Sequence, residues 1–253
     1  LIDALAAAKD DPTRAIIARE LSKVPTSPES LKAYMDVLMK MPVSVDLPTG
    51  EVAAAMLTET VDAFYDASVV DQLIKRGKDA KGSDDDKRTI RDSTIVALIH
   101  LMKADQVAAV EKAINEWAPK PDENKLEKEA FAKSKNTVTA CGDKLECYLA
   151  KIEEPALQEQ KDQVAAIKAA YMLGILGNDG TRNEMIKRLP KIKNAAIKFS
   201  VAKAIDHLTP KGDKAAADAI KKVIDDNKQK GDQNVIMGDA PLRQIMARIV
   251  ARQ

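Results

Sequence analysis

Aromatic side chains make up only 3% of the 253 residues, with a single tryptophan, Trp117. A chain so short of aromatics and so well supplied with alanine lacks the material of a sheet core and suits closely packed helices. Two cysteines and two histidines are too few for a structural zinc site, which takes four ligands, so no metal is expected. The ten glycines are scattered rather than gathered into a phosphate-cradling loop. No run of about 18 apolar residues occurs, so no membrane-spanning helix is expected. Charge is abundant but balanced, with 40 Lys and Arg against 39 Asp and Glu and a net charge of +1. That balance, with the scarce aromatics, argues against a nucleic-acid-binding surface. No glycine-framed serine and no Cys-His arrangement is visible, so neither catalysis nor a cofactor is expected.

What the chain does have is a helix that recurs. Ile90, Thr94, Ala97, Leu98 and Leu101 share their spacing with Ile197, Val201, Ala204, Ile205 and Leu208, and with Leu242, Met246, Ile249 and Val250. A basic residue follows the first apolar one each time: Arg91, Lys198, Arg243. Ala165, Ala169, Met172, Leu173 and Leu176 make a fourth copy; Ala53, Leu57, Thr60, Val61 and Phe64 make a fifth. A sixth follows Arg14, through Ile17, Leu21 and Val24. Self-similarity without an intervening strand is the mark of stacked helical repeats. His100 and His207 occupy one slot of this repeat, roughly three helix pairs apart at about 35–45 residues per pair. The repeat therefore accounts for their likeness better than a shared site does.

Two stretches carry a family likeness: Asp11-Pro12-Thr13-Arg14, and the run from Ala169 to Gly177 with its closing Leu176-Gly177. They resemble the start and close of HEAT repeats, in particular the short variety called PBS-lyase-like. The resemblance implies an all-α fold, an α-solenoid of stacked antiparallel helix pairs wound into a superhelix, whose inner helices face a partner. Some proteins of this kind hold di-iron through His-Glu pairs, but neither histidine here is followed by glutamate. The long segment from Lys120 to Leu157 departs from the repeat pattern.

Punctuation suggests a single solenoid over 1–253, with a division into 1–118 and 122–253 at the Ala118-Pro119-Lys120-Pro121 break. Ser27-Pro28-Glu29 opens a helix, Ser83 or Asp84 caps the one containing Ile90, and the stretches 41–50, 77–86 and 228–239 read as loops. Cys141 and Cys147 flank a short loop. They form either a disulfide, in an oxidising compartment, or two reduced buried thiols. A start at Leu1 rather than Met fits a processed or trimmed chain, and with the cysteine spacing it leans towards a periplasmic or secreted protein.

Surface chemistry is what remains for function. The basic slot holding Arg91, Lys198 and Arg243 reads first as a brace to the neighbouring repeat. A second slot, with Tyr171, Lys203 and Arg248, suits ligand contact better. The favoured expectation is a non-catalytic, monomeric scaffold that binds a protein partner on its concave face. The alternative is a HEAT-like protein touching a nucleic-acid backbone through a basic ladder.

Overall fold

The computed structural model describes every residue except 25, 155, 157–162, 212, 231–238 and 252–253. Among the described residues the chain is all-α, and a lone β-bridge between Asp46 and Val52 is the only extended pairing. Contacts divide it into two units, Leu1–Ala132 and Lys133–Gln253.

The first unit contains α1 (Ile2–Ala7), α2 (Asp11–Leu21), α3 (Pro28–Leu38), α4 (Ala53–Thr60), α5 (Val70–Lys78), α6 (Asp84–Leu101) and α7 (Val107–Trp117). The recurring helices α2, α4 and α6 form a row, α2 packing on α4 and α4 on α6. Of the intervening helices, α3 packs on α2 and α5 on α6. Local sequence sets these boundaries. Ser27 accepts a hydrogen bond from the Ser30 backbone N–H, and the Ser30 hydroxyl accepts one from the Ser27 N–H, a reciprocal cap with Pro28 in the first turn. Ser83 and Asp86 do the same for α6. Within α6, Ile90, Thr94, Ala97, Leu98 and Leu101 are all buried, as their spacing predicts, and the Thr94 hydroxyl satisfies itself on the Ile90 carbonyl at 2.6 Å.

Helix α8 (Lys125–Cys141) runs through the division between the units. Beyond it the second unit contains α9 (Leu145–Glu153), α10 (Gln163–Leu176), α11 (Asp179–Arg188), α12 (Ala195–Leu208), α13 (Ala215–Lys230) and α14 (Asp239–Ala251). The recurring helices again form a row: α10 packs on α12 and α12 on α14, while α11 and α13 pack behind on α12 and α14. Helix α10 is buried on every side from Ala166 to Gly174, apart from a half-buried Ile167. Alanines 166, 169 and 170 let α9 and α12 approach it closely. Gly177 ends this helix where a Cβ would lie 2.1 Å from the Leu173 carbonyl oxygen, so no larger residue fits.

Four expectations are corrected. Gly77 belongs to the last turn of α5, because that helix runs on to Lys78 before the loop begins. Residues 228–230 extend α13, so the polar connection is shorter than expected, and residues 231–238 lie outside the described residues. In the first copy the buried face is Ala15, Ala18 and Leu21 rather than Ile17, Leu21 and Val24. Helix α2 stops at Leu21, so Val24 falls past its end and stays 37% exposed. In the last copy Val250 faces outward, 48% exposed, while Leu242 and Ile249 are buried.

Candidate functional site

The second slot becomes a continuous strip across the α10–α12–α14 row. Lys203 on α12 donates to the Tyr171 hydroxyl at 3.2 Å, with its ammonium 5.4 Å from the Tyr171 ring centre and 6.0 Å from that of Phe199. One turn along the same helix face, Asp206 accepts from Arg248 of α14, through Nε at 3.1 Å and Nη2 at 2.9 Å. The order across the row is thus phenol, ammonium, carboxylate, guanidinium. Tyr171 is only 5% exposed. It acts by holding Lys203, through one hydrogen bond and a cation–π contact worth about 0.5–1 kcal/mol at such a site. The Arg248 side chain keeps 30% of its surface while that of Asp206 keeps 9%, so this pair joins α12 to α14 and still presents a cation.

Residues of the first slot are not brought together in this way. Arg91 donates from Nε to the Gly77 carbonyl at 3.2 Å, tying α6 to α5 through a backbone oxygen rather than an aspartate. It lines a cavity of about 260 Å³ beside Trp117 and Asn124. Lys198 is half-buried and Arg243 is exposed. Arg14 pairs with Asp11 at 3.0 Å within its own helix, and its side chain is 42% exposed. Of the histidines, His100 places Nδ1 2.8 Å from the Asp62 carboxylate, and His207 is half-buried in the other unit. No cluster of three or more metal-ligating side chains occurs among the described residues.

Cys141 and Cys147 are joined as a disulfide with Cα atoms 5.5 Å apart. Cys141 ends α8, and Gly142 takes a left-handed conformation, φ 55°, that turns the chain towards α9. The Tyr148 hydroxyl then donates to the Gly142 carbonyl at 2.7 Å and closes the corner. A bridge spanning so short a loop restricts the unfolded chain only modestly, so its removal in a Cys141→Ser, Cys147→Ser variant should cost about 2 kcal/mol. Urea unfolding with and without dithiothreitol checks this: reductant should lower wild type to the level of the variant and leave the variant unchanged.

Apolar periodicity does not reveal the buried charges. Arg182 of α11 is 7% exposed and donates to Asp179 at 3.1 Å, to Asp213 at 2.9 Å and to the Leu208 carbonyl at the end of α12 at 3.3 Å. Its signal was present: Asp179-Gly180-Thr181-Arg182 repeats Asp11-Pro12-Thr13-Arg14, with Asn178 capping Thr181 as Asp10 caps Thr13. Arg188 ties α11 to Glu153 of α9 at 2.7 Å. Lys168, on α10, is 1% exposed, and burial holds its amine well below the ordinary lysine range. No protein-family model, curated protein or solved structure matches this chain.

Proposed function

We propose that this chain is a non-catalytic interaction scaffold of HEAT-like repeats, which holds an acidic or amphipathic segment of a protein partner against the α10–α12–α14 row. The observation that carries this reading is the stacking of recurring helices on one another, with Tyr171, Lys203 and Arg248 aligned across the second row. Stacked repeats of this kind present a long surface of equivalent positions, which suits an extended partner. Cations held by neighbouring side chains lose less freedom on binding than flexible ones. The disulfide fits an oxidising compartment, such as the periplasm or the cell exterior. No helix among the described residues is long and apolar enough to cross a membrane.

The test is affinity capture from a lysate of the source organism with wild type, Lys203→Glu and Arg248→Lys. Arg248→Glu is a poor choice because it would set a carboxylate against the enclosed Asp206. A partner retained by wild type and by Arg248→Lys but lost by Lys203→Glu supports the reading. A partner indifferent to Lys203→Glu removes this strip as its site. Retention of nucleic acid at low salt, lost at high salt, would favour the phosphate-binding alternative.

A further inference from the structure

A second concavity lies in the first unit, apart from the strip described above. It occupies about 950 Å³ between the segment following α3 and the one following α5, with the first turns of α6 behind. Its volume falls within the range of small-molecule sites, about 300–1,000 Å³. The apolar part of the wall is Met41 and Ile90, both buried, with Met39, Val43 and Ala80 half-buried, and no aromatic ring contributes to it. Methionines on such a wall adapt to aliphatic shapes, while the lack of rings removes the platform a nucleobase would stack on.

Charge around the concavity is net positive. Lys40 follows α3, Lys75 lies on α5 and Lys81 in the loop that continues it, and none forms an ion pair among the described residues. A single exposed lysine is ordinarily just solvated; three meeting around one apolar hollow form an anion-attracting rim. Beneath them Arg76 of α5, 8% exposed, donates through Nη1 to the Leu38 carbonyl and through Nη2 to that of Met41 at 3.3 Å. Both partners are neutral oxygens, and Nε has no partner among the described residues, so a buried positive charge without a carboxylate underlies the cleft. Its two carboxylates, Asp79 and Asp86, are outnumbered by the three lysines and Arg76, and Asp86 is turned to the Ser83 backbone N–H at 2.8 Å. Arg76 also fixes the end of α3 to α5, so the two walls keep their spacing.

We infer that this cleft binds a small amphipathic anion, an aliphatic body bearing a carboxylate, with the chain against Met41 and Ile90 and the head group among Lys40, Lys75 and Lys81. This site is independent of the scaffold reading. The probe is decanoate, titrated into the full chain by calorimetry and by amide chemical shifts. Shifts should centre on residues 39–44 and 75–82. A Lys40→Glu, Lys75→Glu, Lys81→Glu variant should bind at least about tenfold more weakly. Reversal at Lys32, Lys112 and Lys125, which lie on the surface of α3, α7 and α8 away from the cleft, should change affinity by less than about twofold. Butyrate, with the same head group and little apolar body, should bind at least about tenfold more weakly than decanoate. The inference is overturned by absence of decanoate binding, by shifts centred elsewhere, or by equal losses in the two triple variants. It is also overturned if a Glu-Leu peptide fills the cleft where decanoate does not, since the hollow would then be a peptide site.

Discussion

Replacing Lys168 by methionine should remove a rise of stability with pH, since the titrating amine gives way to an apolar chain of similar length. The sign follows from proton binding. In the unfolded chain the amine keeps its ordinary value near 10.5, whereas in the fold burial holds it well below. Between those two values the unfolded state carries a proton that the folded state does not. Wild-type stability therefore rises with pH through that window, by at most about 1.4 kcal/mol per pH unit, and levels off above the unfolded value. The methionine variant lacks this contribution. Relative to wild type it should stand best at pH 7 and lose ground as pH approaches 10.5. Urea midpoints of both proteins at several pH values measure the gap, and a gap that stayed constant with pH would mean that the folded amine keeps its proton.

Loss of Arg182 is the other large effect. Arg182→Ala should cost about 3 kcal/mol, because it leaves Asp213, with 19% of its side chain exposed, without its partner and frees the last carbonyl of α12. Arg14→Ala, in the same four-residue motif, should cost less than about 0.5 kcal/mol, since that arginine is 42% exposed and its ion pair is with Asp11 of its own helix. Arg182→Lys should recover part of the loss, as a single ammonium cannot reach both carboxylates and the carbonyl together. Denaturant unfolding of the three variants against wild type checks the contrast. Equal costs for Arg14→Ala and Arg182→Ala would show that the motif acts through helix initiation rather than through the brace to α12.

Those two arginines mark where sequence reading reaches its limit. Spacing located one buried face of α6 and of α12, in Ile90 to Leu101 and Ile197 to Ile205, while Ile95, Ile99, Ala202 and Asp206, buried off that face, followed only from their neighbours. Capping at Ser27 and Ser83 was equally readable, since the cap depends on residues three positions apart. Helix α10 has no apolar stripe, being enclosed all round, and so its period says nothing about which side meets which neighbour. Lys168 and Arg76 lie in interiors where an apolar pattern expects no charge, and their places follow from contacts distant in sequence. The cleft is likewise invisible to periodicity, because its walls are loop segments that come together only once Arg76 has joined α3 to α5.

The row arrangement carries a kinetic consequence. Each recurring helix meets the copy two elements away, so the loops that must close are a few tens of residues long, and closure entropy grows only slowly with such lengths. Contact order is accordingly low, which favours rapid folding for a chain of this size. Within each unit a lesion in one recurring helix falls first on the helices packed against it.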